Sequence, residues 1–312
     1  MKPEILLIEP MMPQVEARLD AAYHVHRIFQ ETDPSALITR VGPRIRGIVT
    51  GGGAGASNEL IDALPALEII AINGIGTDAV DLERARARGI RVTTTPDVLT
   101  DDVADMALAL MLAVHRRIPF SDRFVREGRW PTGAVPLGRK LTAKRLGIVG
   151  FGRVGQAIAH RAEAFHMEIA YTDLQPVPGT SHRHIPGLED LARNSDVLVV
   201  AASGGAGSRG IVNRSVLDAL GSDGVLVNVA RGSVVDEPAL VAALTERRLG
   251  GAGLDVFAHE PHVPKALWGL DNVVLMPHQA SATVETRLAM ADLVLRNLEA
   301  QFAGREPVTP VV

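Results

Sequence analysis

Short apolar runs alternate with amphipathic stretches through the first hundred residues. Ile5–Ile8, Val25–Phe29, Gly47–Thr50, Glu68–Ile72 and Arg91–Thr94 are strand-length runs, and residues 12–21, 34–41, 57–64 and 79–88 carry helical patterns. Strand and helix in alternation argue for a parallel α/β sheet. Gly89, placed after the basic stretch Arg84–Arg88, is a helix C-terminal signal.

A long helix is then expected from Thr100, its cap, to Arg117. Asp101 and Asp102 fall in its first turn and His115, Arg116 and Arg117 in its last, a polarity that suits the helix dipole. Its middle, Met106–Val114, is apolar all round, which points to burial between domains or subunits and to a homodimer. Residues 128–139 are rich in Gly and Pro and read as an irregular crossing segment. A second alternation follows, with strands expected at 145–149, 168–172, 196–201, 224–229, 251–256 and 272–276. Six strands with helical crossovers fit one doubly wound nucleotide-binding domain. The last helix, 284–302, is expected to return to the first domain. The expected division is therefore 1–99 with 285–312, and 100–284.

Composition narrows the function. The 312 residues are 46% hydrophobic and 22% charged, as in an ordinary globular protein. A net charge of −4 gives no basic excess for nucleic acid or an anionic membrane. Cysteine is absent, which removes a thiol nucleophile, a disulfide framework and a cysteine zinc site, and fits a cytoplasmic setting. No apolar run reaches the ~18 residues of a membrane span, and the N-terminal stretch reads as a buried strand rather than a signal peptide. No His, Asp and Glu grouping in the sequence points to a metal.

The thirty glycines are clustered, and one cluster carries chemistry. The expected strand 145–149 runs into Gly150, Gly152 and Gly155, then a helical stretch, then the strand 168–172 ending at Asp173. In a dinucleotide fingerprint the first glycine makes the tight turn, the second lets backbone approach a pyrophosphate, and the third packs helix on strand. The helix N-terminus offers N–H groups and positive dipole to phosphates. An acid at the tip of the second strand accepts hydrogen bonds from the adenosine ribose. A lone glycine triplet is an ordinary tight turn. Strand, loop, helix, strand and acid in order specify the cofactor.

With these features the sequence resembles the D-2-hydroxyacid dehydrogenase family over nearly its whole length, in the branch of hydroxypyruvate, glyoxylate and hydroxyphenylpyruvate reductases. The matching segments are Thr95–Asp105, the glycine fingerprint, Asn228–Gly232, Gly253–Phe257, Glu260–Pro261 and Pro277–Ser281. The resemblance implies two Rossmann-like or flavodoxin-like domains with the active site in the cleft between them. It makes Arg231 the binder of the substrate carboxylate, His278 the general acid in reduction, and Glu260 the partner of His278. Asp255 is expected to hold the nicotinamide carboxamide. Thr100, Arg153, Val154 and Ala230 join Gly150, Gly152, Gly155 and Asp173 on the cofactor. The loop Asn73–Asp78 is implied to grip the carboxylate through the backbone of Ile75 and Gly76, with Gly52 and Gly53 lining the outer site.

The chemistry is consistent with those roles. Reducing a ketone needs a hydride on carbon and a proton on oxygen; the cofactor supplies only the hydride, and histidine is the usual proton donor near neutrality. A guanidinium recognises a carboxylate with a planar fork. Arg231, Glu260 and His278 all follow expected strand ends, where open α/β sheets place ligands. Taken singly, each has a bland reading as a turn, loop-start or capping residue. His160, His166, His182, His184, His259 and His262 match no motif and read as surface or structural, and Trp130 reads as packing. Two departures from the family pattern stand out. Residues 202–210 are glycine-rich where relatives carry a Pro-Leu-Thr segment, which is expected to loosen the cofactor's wall. Asp173 and Leu174 stand where NADPH-using relatives place Ser-Arg, which favours NADH. The leading expectation is NAD(P)H-dependent reduction of a small 2-keto acid to its D-2-hydroxy acid. An aromatic keto acid and a dinucleotide-sensing interaction protein of the same fold remain as alternatives; formate oxidation has less support.

Overall fold

Strands buried on both faces need apolar residues on both, and the first apolar runs supply them. A computed structural model describes residues 2–312, which divide into two compact units, 2–99 with Thr283–Val312 and Thr100–Ala282. In the first, β1 (Glu4–Leu7), α1 (Pro13–Ala22), β2 (His24–Arg27), α2 (Pro34–Val41), β3 (Ile45–Gly51), α3 (Asn58–Asp62), β4 (Ile69–Asn73), α4 (Leu82–Ala87) and β5 (Arg91–Thr93) alternate as expected. All five strands are parallel in the order β2-β1-β3-β4-β5. The chain goes from β1 outward to β2, then back past β1 to β3, so strand order reverses between β1 and β3. Successive side chains alternate between faces. Leu6, Ile48 and Ile70 pack with Leu37, Val41 and Ile61, while Ile5, Leu7, Val49 and Ile69 pack on the opposite face. Asp33, Ser57 and Asp81 cap α2, α3 and α4 by accepting from backbone N–H groups, and Gly89 takes φ +69 just beyond α4.

The second unit opens with α5 (Thr100–His115) and α6 (Ile118–Arg126). It continues with β6 (Arg145–Val149), α7 (Arg153–Glu163), β7 (Glu168–Thr172), β8 (Arg183–His184), α8 (Leu188–Arg193), β9 (Val197–Val200) and α9 (Arg214–Leu220). β10 (Val225–Asn228), α10 (Glu237–Thr245), β11 (Gly251–Leu254) and β12 (Val273–Leu275) complete it. Its seven strands are parallel in the order β12-β11-β10-β9-β6-β7-β8. The final helix, α11 (Val284–Phe302), belongs to the first unit, where Val294 and Leu298 pack against the face formed by Ile5, Leu7, Val49 and Ile69.

Several sequence expectations need correction. The helix from Thr100 stops at His115 because Arg117 adopts a left-handed φ of 54. A further helix, α6, follows with Pro119 in its first turn, where a missing N–H costs nothing; the sequence reading gave this stretch no element. His115 does not serve the helix dipole as a cation. It is buried with Nδ1 bonded to Met111 O at 2.9 Å, and burial pushes its imidazole below the ordinary value, favouring the neutral form. The second sheet has a seventh strand, β8, whose two residues pair with Ala170 and Tyr171. Met106–Val114 is not enclosed on every side within the chain: Ala107, Leu108, Leu110 and Met111 are buried, but Ala109 is exposed and Met106 and Leu112–Val114 are partly so. Trp130 is 69% exposed rather than packed.

The end of the chain is tied to Val92 and Thr94 by main-chain bonds and to α11 by a buried amide. Asn297 is wholly buried, donates to Thr309 Oγ1 at 2.8 Å and accepts from Thr309 N at 3.0 Å, and the Thr309 hydroxyl donates to Thr94 O at 2.6 Å. Asn297→Ala strands these groups, and the expected loss is about 1–3 kcal/mol. Urea unfolding should show a lower midpoint at an unchanged slope. A midpoint equal to wild type would mean that the tail is held by its main-chain bonds to residues 92–94 and by packing, without the amide.

Candidate active site

The three fingerprint glycines sit at the junction of β6 and α7, and their surroundings separate two kinds of need. Gly150 has φ +87, and a Cβ there would lie 2.5 Å from Ala202 Cα. At Gly155 a Cβ would lie 2.2 Å from Gly150 O. Those two glycines are required by the fold itself. Gly152 differs: a Cβ on it would meet nothing within 4 Å. Its bareness leaves open space where α7 begins, and no side chain caps that helix end. Room beside uncapped helical N–H groups fits a pyrophosphate. Val154 lies in the first turn of α7, partly buried, and Arg153 is exposed beside it.

Asp173 follows β7 directly. Its Oδ2 accepts from Phe151 N and its Oδ1 from Leu174 N, both at 2.7 Å. The carboxylate is thereby fixed against the glycine loop. Leu174 is 94% exposed and brings no cation. The glycine-rich segment 202–210 is less loose than its composition implies. It forms a short turn, Ala206–Ser208, in which Ser208 Oγ donates to Ser203 O at 2.7 Å, and Gly210 N donates to Ser233 O at 2.8 Å.

Arg231, Glu260 and His278 all come from the second unit. Asn228 ends β10 and shapes the next turn, accepting from Ala230 N at 3.1 Å and donating to Arg231 O at 3.0 Å. Gly232 then lies so close to the segment after β11 that a Cβ would fall 1.9 Å from Phe257 C. Only bare backbone fits there, which brings the Arg231 turn against the segment that leads to Glu260. Arg231 is half-buried, and its Nη1 donates to Ala230 O at 2.6 Å.

Beyond β11, Asp255 is wholly buried, and its carboxylate oxygens accept from Gln279 N at 2.7 Å and Ala280 N at 2.9 Å. Its carbonyl accepts from His278 N at 2.8 Å, and His278 takes a left-handed φ of 53. From this turn His278 Nδ1 meets Glu260 Oε2 at 2.7 Å, and Glu260 Oε1 accepts from Phe257 N at 3.0 Å. A donating Nδ1–H leaves Nε2 as the ring nitrogen that can carry a proton to a substrate. Burial pushes the Glu260 carboxyl up, but its bonds from His278 and Phe257 and the charges of His278 and Arg231 outweigh burial and hold it below 4.5. Asn228, Gly232 and the pinning by Asp255 were not assigned these tasks from the sequence. The only signal was their place at strand ends inside the quoted motifs.

In the first unit, Gly51 N donates to Glu9 Oε2 at 3.0 Å, and a Cβ on Gly53 would meet nothing within 4 Å. Ile75 is 45% exposed in the loop after β4, with Gly76 partly exposed beside it, and Gly74 O accepts from Thr95 N at 2.8 Å. Thr100 starts α5, and Ala230 lies partly exposed after β10. Among the described residues one grouping has metal-ligand spacing, Glu4, His24 and His26, on β1 and β2. It shares no residue with the sites above, and Glu4 already accepts from His26 and Arg44.

A glycine cradle at a helix start, an acid closing the second strand and a carboxylate-held histidine at a strand end define a dinucleotide-dependent oxidoreductase. Residues 108–280 match the family model described as D-isomer specific 2-hydroxyacid dehydrogenase, NAD binding domain. The chain is 51% identical to the 2-ketogluconate reductase of Gluconobacter oxydans, over 100% of its own length and 99% of that protein. It is 50% identical to the hydroxyphenylpyruvate reductase of Plectranthus scutellarioides, over 99% and 98% of the two chains. An NADPH-dependent glyoxylate/hydroxypyruvate reductase from Sinorhizobium meliloti, solved with NADP and malonate, superposes with a TM-score of 0.94 at 46% identity, covering 100% of this chain and 97% of that one. The chain belongs to the D-isomer specific 2-hydroxyacid dehydrogenase family, in its glyoxylate/hydroxypyruvate reductase branch.

The two kinds of glycine give opposite expectations. Gly152→Val should leave the unfolding temperature near wild type and weaken NADH and NADPH binding tenfold or more, because its methyls enter open space. Gly155→Ala should instead cost about 1–3 kcal/mol of stability, the usual scale for overpacking. Titration by nucleotide fluorescence and thermal unfolding read the two effects. Equal binding by Gly152→Val would remove the loop from the cofactor site.

Proposed function

We propose that the protein reduces a small 2-keto acid of the glyoxylate/hydroxypyruvate type to the D-2-hydroxy acid. The observation that carries this reading is the 2.7 Å pair of Glu260 and His278 beside the Arg231 turn. A bound nicotinamide dinucleotide supplies the hydride. Gly150, Gly152, Gly155, Arg153, Val154, Asp173, Ala230 and Thr100 would hold it, and Asp255 would orient its carboxamide side by fixing the turn 278–280. Arg231 binds the substrate carboxylate with its planar fork and draws charge onto the keto oxygen. Nε2 of His278 gives its proton to that oxygen. Glu260 stays ionised and keeps Nδ1–H in place, so the ring leaves the step neutral and correctly oriented. The backbone of Ile75 and Gly76 would grip the carboxylate, and Gly52 and Gly53 would line the outer site. On this reading the unit containing Met1–Leu99 is the substrate domain and Thr100–Ala282 the dinucleotide domain.

Asp173 supports NADH as the preferred cofactor. A carboxylate fixed at the end of β7 suits ribose hydroxyls and repels a 2′-phosphate, and Leu174 offers no cation. The partly uncovered apolar side of α5 supports a homodimer. No helix among the described residues is long and apolar enough to cross a membrane. A net charge of −4, without basic excess, supports an enzyme with neither nucleic acid nor an anionic membrane as partner.

Removing the acid is the direct test. His278→Ala should lower kcat about 10²–10⁴-fold with cofactor affinity largely kept; activity within a few fold of wild type would end this assignment. Glu260 adds a pH signature. Its carboxyl is held below 4.5, so the carboxylate is ionised above that value and is lost only as pH falls through the lowered one. Glu260→Gln keeps a group that can accept from Nδ1–H but has no proton to gain, so kcat should fall while any acid-side decline set by Glu260 disappears. A kcat and an acid limb equal to wild type would make Glu260 structural.

Cofactor choice has its own measurement. Wild type should show higher kcat/KM with NADH than with NADPH, and the double variant Asp173→Ser, Leu174→Arg should shift that ratio toward NADPH. Wild-type preference for NADPH would show that Asp173 serves the glycine loop and not the ribose.

A further inference from the structure

β1 and β2 pair in parallel at one edge of the first sheet, and Glu4 is the register partner of His24. Side chains two apart on a strand share a face. His24 and His26 therefore lie on one face of β2, and Glu4 lies on the same face of β1. Leu6, two residues after Glu4, packs with Leu37 and Val41 of α2, so this is the face that α2 covers. Glu4 and His24 begin their strands, which puts them at the end of the sheet opposite the loops after β3 and β4.

The donors of these three side chains all lie within 4.8 Å of one another, and the two imidazole centroids are 4.7 Å apart. Tetrahedral zinc, with bonds near 2.0–2.2 Å, spaces its ligand atoms about 3.3–3.5 Å apart. Rotation of the exposed His24 ring closes that difference. Half of the site is already assembled: His26 Nε2 lies 2.8 Å from Glu4 Oε2, with the two side chains only 12% and 21% exposed. Glu4 Oε1 accepts from Arg44 Nε at 2.7 Å, the kind of outer hydrogen bond that orients a ligating carboxylate. The guanidinium charge opposes a cation, but the Arg44 side chain is 56% exposed and water screens it. The imidazole of His24 makes no hydrogen bond to another described residue, so no protein donor or acceptor competes for it. Two imidazoles and one carboxylate suit zinc, whereas magnesium prefers oxygen donors alone.

We propose that Glu4, His24 and His26 form a zinc site that fastens the edge strand β2 to β1. Zinc takes Glu4 Oε2, His26 Nε2 and one ring nitrogen of His24, and water completes the tetrahedron. The hydrogen bond between His26 and Glu4 is given up: the ring proton moves through solvent to Nδ1, and Nε2 bonds the metal. An unfolded chain does not hold the three donors together, so binding stabilises the folded state by mass action. The site uses none of the residues assigned to substrate or cofactor.

The test is calorimetric titration of zinc chloride into tag-free, metal-stripped protein, with thermal unfolding at rising zinc concentration. One zinc should bind per chain, and the unfolding temperature should rise with zinc but not with magnesium chloride. His24→Ala, at an exposed position, removes one ligand and should weaken zinc binding tenfold or more. His26→Gln keeps a donor for Glu4 but loses the ring nitrogen, and should do the same. Without zinc, His24→Ala should unfold at the wild-type temperature. A wild type that binds no zinc would overturn the site. Zinc affinity equal to wild type in either folded variant would also overturn it, since the ion then sits elsewhere. An equal rise with magnesium would show that carboxylates alone respond, and would overturn it too.

Discussion

The site of the second unit depends on one buried carboxylate. Asp255 has no exposure, and its three backbone bonds, two to the carboxylate and one to its carbonyl, tie the exit of β11 to the turn at residues 278–280. A buried charge is costly unless hydrogen-bonded, so this tie holds only while both N–H groups point inward. It also offsets the strain of a histidine in the left-handed region, of order 1–3 kcal/mol. With that turn fixed, the imidazole of His278 lies against Glu260, and Glu260 is itself fixed by Phe257 N. The imidazole is thus aligned by main-chain hydrogen bonds.

Close backbone approach is the second constraint. Gly232 brings the Arg231 turn onto the residues after Phe257, and Gly155 brings α7 onto the carbonyl of Gly150. Each of these glycines lacks a side chain where two segments meet. Gly152 and Gly53 are different, since nothing in the chain occupies the space that their side chains would take. A glycine with crowded surroundings is required by the packing of the chain itself.

Periodicity made most of the fold legible, because both sheets are built from apolar runs that pack on two faces. The glycine fingerprint and Asp173 were legible because their task is local: each acts within one strand, turn and helix. What escaped the sequence was non-local or lacked an apolar pattern. α6 is amphipathic over nine residues and begins only because Arg117 reverses the backbone. β8 is two residues long and is a strand only by pairing with β7. Asp255 was assigned to the cofactor from its motif, whereas its bonds to Gln279 and Ala280 depend on residues more than twenty positions away. Glu9 had no signal, since a single acid after a buried strand gains meaning only when β3 brings Gly51 to it.

The two units offer different kinds of structure at their strand ends. His278, Glu260 and the Arg231 turn are each pinned by main-chain bonds at the ends of parallel strands, where a shift of one residue would disturb the sheet itself. In the first unit, a cavity beside β1 and β3 is lined by half-exposed methionines, an exposed acid and a loop glycine. Methionine adapts to many shapes, and substitutions there leave the hydrogen-bond ladder intact. The relatives near 50% identity are a 2-ketogluconate reductase and a hydroxyphenylpyruvate reductase, whose substrates share a 2-keto acid and differ beyond it. On the proposed reading, groups held by main-chain bonds at strand ends keep the reaction, while residues outside the hydrogen-bond ladder can change without disturbing it.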